Sequence, residues 1–235
     1  MMNPPLEICV LAAGKGTRMK TMIPKMLQPI AGTPMIAHVV STARALKSVK
    51  THLIVSEDHA ALKAAIEDQG DLNWVVQKEQ LGTGHAVQQA APFFMADSAV
   101  LVLLGDVPLL QPETLQALLE DPADVAVLTV HLPNPAGYGR IQRDAAGCVI
   151  GIVEDKDTSP AERAITEINS GIFKIGQGLL PDLLAQLTNH NEQGEYYLTD
   201  IVSIAVARGL NVASITTDQV EAVSGVNDLV QLAAA

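Results

Sequence analysis

Ile8-Cys9-Val10-Leu11-Ala12-Ala13-Gly14-Lys15-Gly16-Thr17-Arg18-Met19 reads as a buried strand running straight into a glycine-rich loop. A short, wholly apolar run that ends at glycine suits a strand covered on both faces. Gly14 and Gly16 let the backbone approach a ligand closely and turn N–H groups toward phosphate oxygens. Arg18 can grip a phosphate through two parallel bonds, which a lysine cannot do. The dinucleotide fingerprint is incomplete, because Met19 stands where its third glycine belongs. The spacing of a P-loop is missing as well. An ordinary tight turn is the plain alternative. Two glycines, a lysine and an arginine within the five residues from Gly14 to Arg18 argue against it.

Outward from this loop, short apolar runs alternate with segments of helical period. Pro34 to Leu46 places Met35, Ile36, Val39, Val40 and Ala43 on one helical face, with proline suited to the first turn. His52 to Val55 reads as a strand, Asp58 to Asp68 as a helix, Trp74 to Val76 as a strand, Thr83 to Ala91 as a helix and Ala99 to Leu104 as the most apolar strand. This rhythm predicts right-handed crossovers and a Rossmann-like, mostly parallel α/β sheet flanked by helices. Farther on, Asp124 to His131, Gly139 to Gln142, Val149 to Val153 and Gly171 to Ile175 are strand-like with few helices between, which predicts a smaller mixed β part. Helices at Gln177 to Leu187 and Tyr197 to Ala207 and a strand at Val212 to Thr216 follow.

Composition sets outer limits. The 235 residues suit one large α/β domain, with 48% hydrophobic residues, 17% charged and 3% aromatic. A core so poor in aromatics is built from Ala, Val, Leu and Ile. The formal charge of −11 excludes the basic stripe of a nucleic-acid binder but leaves room for an anionic ligand held by local donors. Cys9 and Cys148 both fall in apolar, strand-like runs and are expected as buried thiols rather than a disulfide or metal pair. No apolar run approaches the roughly 20 residues of a membrane span, and Met1 to Glu7 lacks the basic start of a signal peptide, so the expected location is the cytoplasm.

Two further positions invite chemistry. Pro24 stiffens the backbone just ahead of Lys25, which presents its ammonium from a fixed loop. Gly105-Asp106 lies at the carboxyl end of the most apolar strand, where open α/β sheets bind ligands. Asp106 is a hard oxygen donor of the kind magnesium prefers, although a helix cap is the plainer use of an aspartate there. His38 and His85 have no Ser, Cys or second His at useful spacing, so neither is read as catalytic or metal-binding.

The stretch from Leu11 to Met19 followed by Pro24-Lys25 resembles the signature of the sugar-1-phosphate nucleotidylyltransferases. Gln80-Leu81-Gly82-Thr83-Gly84-His85, Gly105-Asp106-Val107-Pro108, Gly137-Tyr138-Gly139-Arg140, Ile152-Val153-Glu154-Asp155-Lys156, Glu167-Ile168-Asn169-Ser170-Gly171 and Glu195-Tyr196-Tyr197-Leu198-Thr199-Asp200 narrow the likeness. In this order, across nearly the whole chain, they resemble the uridylyltransferase part of the bifunctional bacterial N-acetylglucosamine-1-phosphate uridylyltransferases.

The resemblance implies the nucleotide-diphospho-sugar transferase fold over residues 1–235 and UMP transfer from UTP to N-acetylglucosamine 1-phosphate, a step toward cell-wall precursors. It implies that Arg18, Lys25 and Asp106 are catalytic and that Asp106 and Asn227 hold Mg2+. Asn227 by itself reads only as a turn residue. The resemblance assigns Leu11, Ala12, Ala13, Gly14, Gln77, Gly82 and Thr83 to the uridine pocket, with Gln80 assisting. It assigns Gly139, Glu154 and Asn169 to the sugar site, counts Leu104 and Gly105 among the substrate-binding residues, and sets Glu195, Tyr197 and Thr199 near the sugar phosphate. Leu104 departs from the pattern, since Tyr or Ser often precedes Gly-Asp in this family, so no side-chain hydroxyl reaches the sugar from there. Transfer to another sugar 1-phosphate, such as glucose 1-phosphate, is the alternative activity. The family's acetyl-transferring, trimer-forming β-helix of hexapeptide repeats has no counterpart within these residues, which leaves acetyl transfer unexpected and the oligomeric state open.

Overall fold

The computed structural model describes residues 4–66 and 70–235. Strand β1 (Leu6–Leu11) leads into the glycine loop and a short hairpin, β2 (Pro29–Ile30) and β3 (Thr33–Pro34). Helix α1 (Met35–Ala45), β4 (Lys50–Val55), α2 (Ala60–Ala65), β5 (Leu72–Val76), α3 (Thr83–Ala90) and β6 (Ala99–Leu104) follow in alternation. Then come α4 (Pro112–Glu120), β7 (Val125–His131), β8 (Arg140–Arg143), β9 (Val149–Val153) and β10 (Glu167–Ile175). The chain closes with α5 (Leu180–Leu184), α6 (Asp200–Ala207), β11 (Val212–Thr216), α7 (Val220–Val223) and α8 (Leu229–Ala234). Among the described residues no helix is long and apolar enough to cross a membrane.

The main sheet runs β11-β7-β10-β6-β1-β4-β5, with the β8–β9 pair branching off β10. β6, β1, β4 and β5 are parallel to one another, as are β7 and β11, whereas β10 runs antiparallel between β6 and β7. Because side chains alternate across a strand, each strand feeds two cores. Ile8, Val10, Leu101 and Leu103 face α1 and α4, meeting Ile36, Val39, Leu115 and Leu118. Cys9, Val100 and Val102 face the other way, toward Val87 of α3, Leu183 of α5 and Ile201 of α6.

The α/β sandwich is as the alternation predicts, and the later β strands extend the same sheet, with β8 and β9 forming its antiparallel branch. Several boundaries move for local reasons. Gly178, at φ +70°, delays the expected helix at Gln177 until Leu180. α6 begins at Asp200 rather than Tyr197 because the preceding backbone is bound elsewhere: Tyr196 N–H donates to Leu81 O at 2.8 Å and Leu198 N–H to Thr83 Oγ1 at 3.0 Å. The expected end of the second helix at Asp68 lies outside the described residues. Cys9 is buried, but Cys148 is exposed, contrary to expectation. Asp144 accepts the N–H groups of Ala146 and Cys148, both at 2.9 Å, so Cys148 belongs to a turn and not to the strand behind it.

Candidate active site

β1 leads to β4 and β5 on one side, and β6 then returns to the other side of β1. The carboxyl ends of β1 and β6 therefore diverge, leaving the crevice at which open α/β sheets bind ligands. A cleft of about 570 Å³ occupies it, lined by Leu11, Ala13, Gly14, Arg18, Lys25, Gln77, Gly82, Thr83, Leu104, Asp106 and Asn227, among others. A second cavity of about 320 Å³ shares Leu11, Arg18, Thr83, Leu104, Asp106 and Asn227 with the first and adds Gly139, Glu154, Asn169 and Thr199. The two are wings of one site, meeting at Leu104 and Asp106.

In the first wing Gly16 adopts φ +61°, and a side chain there would collide with the stem of Lys25. Glycine is required both for the turn and for the close passage of the lysine. At the far end Gln77 is buried, its carboxamide held by Gly82 O at 3.2 Å and by His85 Nδ1 at 3.1 Å. His85 thus steadies Gln77. Gly82 passes so close to the opposing chain that a Cβ would lie 2.5 Å from Tyr196 O.

Where the wings meet, four polar side chains converge. Lys25 Nζ donates to the carboxylate of Asp106 and, at 2.9 Å, to Asn227 Oδ1. Arg18 Nη2 donates to the same Asn227 oxygen at 2.8 Å. Val226 N–H donates to Asp106 O at 2.8 Å, which pins the segment before Asn227 against the end of β6. The Asp106 and Asn227 oxygens already gather around a cation, the lysine ammonium, so the pair fits a hard divalent ion. No three His, Cys, Asp or Glu side chains among the described residues could hold a metal together. An ion on this pair must complete its shell from water and substrate oxygens, as magnesium commonly does.

The second wing is held by three strands. A β-bulge in β10 between Asn169 and Phe173, with Gly171 at φ +80°, lets Asn169 turn back and accept Gly171 N–H at 2.8 Å. Leu104 packs directly over Gly171, in space that a side chain at 171 would fill. Glu154 accepts from Thr199 Oγ1 at 2.9 Å. Burial pushes the Glu154 carboxyl above its ordinary value, and the nearby Asp200, Asp157 and Asp155 add to this against the Thr199 hydrogen bond.

Not every expected residue reaches the cleft. Ala12 and Gly105 are absent from its lining, with Gly105 N–H bound to Leu11 O at 2.9 Å. The Tyr197 ring is buried and its hydroxyl accepts from Gln193 Nε2 at 2.9 Å; burial first, with the nearby Asp157 and Glu154 charges, raises its pKa to about 12. Gln80 and Glu195 line the first wing and Thr199 the second. Tyr138 lines the second wing unanticipated; its place inside Gly137-Tyr138-Gly139 was the available signal.

The profile of the MobA-like NTP transferase domain matches residues 8–148, which carry the glycine loop, Arg18, Lys25 and Asp106. The chain belongs to this NTP transferase family. Along its whole length it is 50% identical to the Bifunctional protein GlmU of Alkalilimnicola ehrlichii, of which it covers 50%. It is also 50% identical, over 230 residues, to the GlmU proteins of Pseudomonas fluorescens and Azotobacter vinelandii, covering 97% of this chain and 50% of each relative. The chain therefore spans about half the length of these curated relatives. A Bacillus anthracis chain assigned as a glucose-1-phosphate thymidylyltransferase and solved with sucrose superposes with a TM-score of 0.76. That likeness covers 97% of this chain and 93% of that one at 19% identity, and it concerns the fold. The matched residues 8–148 include the carboxyl ends of β1 and β6 that border the crevice.

Proposed function

We propose that residues 1–235 act as one nucleotidyltransferase domain that transfers UMP from UTP to N-acetylglucosamine 1-phosphate, giving UDP-N-acetylglucosamine and pyrophosphate. The observation that carries this reading is the meeting of Arg18, Lys25, Asp106 and Asn227 at the junction of the two wings. One wing suits a nucleoside triphosphate and the other a polar sugar. Half identity over the full chain to GlmU proteins supports the choice of substrates.

The glycine loop from Gly14 to Arg18 receives the triphosphate, and Gln77, at the closed end, offers its carboxamide to the uracil edge. Glu154, Asn169 and the backbone at Gly139 take the sugar hydroxyls and the acetamido group. A phosphate oxygen of the sugar 1-phosphate attacks the α-phosphorus, the new P–O bond forms, and the bond to the β-phosphate breaks so that pyrophosphate leaves. The nucleophile is already an anion, so no general base is needed and alignment is the main contribution. Arg18 and Lys25 cover the charge that grows on the α-phosphoryl and leaving groups. The proposed cofactor is magnesium, held by Asp106 and Asn227. When bound there it supplies charge neutralisation on the phosphates. The proposed setting is the cytoplasm, with the product serving as a cell-wall precursor.

Pyrophosphate release measured with UTP or dTTP against N-acetylglucosamine 1-phosphate, glucosamine 1-phosphate and glucose 1-phosphate, with and without magnesium, tests this. Metal-dependent release that is fastest for UTP with N-acetylglucosamine 1-phosphate is expected. Preference for glucose 1-phosphate would transfer the assignment to the other sugar. Release from none of the pairs would refute it.

A further inference from the structure

Arg140 heads the group of largest fully buried side chains, with 2% of its surface exposed, and the transfer chemistry makes no use of it. Its backbone stands at the junction of three strands: Arg140 of β8 pairs with Val153 of β9 and with Ile168 of β10. Immediately beside these pairs lie Gly139, Glu154 and Asn169. Asn169 N–H donates to Gly139 O at 2.9 Å, and a Cβ at Gly139 would come within 3.5 Å of Glu154 Oε2.

The guanidinium bonds the residues next to two of these positions, Gly139 and Glu154. Nη1 donates to the carbonyl of Tyr138, and Nη2 donates to Asp155 Oδ1 at 2.8 Å. Asp155 in turn accepts a backbone hydrogen bond from Gly137. One buried cation thus fastens the loop 137–139 to the turn that carries Glu154. Nε has no hydrogen-bond partner among the described residues. A buried ion that is not fully paired is a poor way to add stability, and an apolar side chain of similar size would serve the core as well. What it supplies is a fixed distance between two walls of the cavity.

We propose that the Arg140–Asp155 pair is the positioning element of the sugar-phosphate wing, holding Gly139 and Glu154 at the separation the sugar requires while leaving the nucleotide wing untouched. This rests on reading that wing as the sugar-phosphate site.

Steady-state kinetics of the full chain carrying Asp155→Ala should show a KM for N-acetylglucosamine 1-phosphate raised about tenfold, with the KM for UTP within about twofold of normal. Asp155→Asn keeps an oxygen for Arg140 Nη2, so it should return the sugar-phosphate KM to within about threefold of normal. Amide hydrogen exchange without substrate should quicken at Gly137 and Asn169 in Asp155→Ala and, at Asn169, stay normal in Asp155→Asn. A parallel rise of both KM values, or unaltered exchange at Gly137 and Asn169, overturns the proposal. A wild-type chain that consumes no sugar 1-phosphate overturns the reading of function instead, and exchange at the two amides still decides whether the pair holds the loop.

Discussion

Lys25 sets its ammonium against the carboxylate of Asp106, with only 8% of the lysine side chain and 19% of the aspartate exposed. It also reaches Asn227, the second oxygen donor of the same pair. The pair is therefore already occupied by a cationic side chain, and a divalent ion bound there would have to displace that ammonium. Triphosphate gives the lysine somewhere else to go.

From this follows a paired outcome for Lys25→Met. Mn2+ binding in the absence of nucleotide, followed by electron paramagnetic resonance, tightens because the competing charge is gone. Turnover in the same variant falls by about 10²–10³ because the triphosphate loses a preorganised donor. Weaker Mn2+ binding would mean that the lysine supports the metal site and does not compete for it.

Arg18 bonds Asn227 and stands at the mouth of the glycine loop, exposed to incoming phosphate. Arg18→Ala should lower turnover by about 10²–10³. Arg18→Lys should recover little of this, since a point charge cannot replace a planar fork. Near-normal turnover in the alanine variant, read from pyrophosphate release, removes Arg18 from the mechanism.

Gly171 lies at φ +80° beneath Leu104. Gly171→Ala should destabilise the fold by about 1–3 kcal/mol through backbone strain and overlap. Adding Leu104→Ala should recover about 1 kcal/mol, because only the overlap is relieved. Thermal unfolding of the two single variants and the double variant measures the coupling, and strict additivity would show that the two side chains do not compete.

The raised pKa of Glu154 gives a pH signature. Burial first, and then the neighbouring aspartates, favour its protonated form, so its ionisation is displaced upward from the ordinary 4.5. The ionised carboxylate is the better acceptor of sugar hydroxyls. The KM for the sugar phosphate should therefore fall as pH rises through the displaced value, and the KM for UTP should show no matching titration. Glu154→Gln should abolish the dependence. A titration that persists in this variant assigns it to another group.

The sheet was legible where short runs rich in apolar and β-branched residues stand between turn residues. The strands expected at Ala99–Leu104, Val149–Val153 and Val212–Thr216 fall on those residues. Helix α4 opens at Pro112 and buries Leu115 and Leu118, a face of two turns too short to stand out between the strands either side. Gly14, Arg18 and Asp106 announced themselves by residue type and place along a strand. Asn227 could not, since it meets Arg18 across 209 residues of chain and looks locally like any turn asparagine. The bulge that turns Asn169 inward was equally hidden, because a slipped register leaves no periodic trace. Arg140 closes the run Gly137-Tyr138-Gly139-Arg140, but nothing in its neighbours says that an arginine will be buried.

The most direct test of the two-winged cleft is a crystal structure of the chain with UDP-N-acetylglucosamine and magnesium. Uracil should lie against Gln77, the diphosphate beside Arg18 and Lys25 with the metal on Asp106 and Asn227, and the sugar between Gly139, Glu154 and Asn169. A nucleotide sugar bound outside the crevice between β1 and β6, or a diphosphate that leaves Lys25 and Asp106 clasped together, would contradict it.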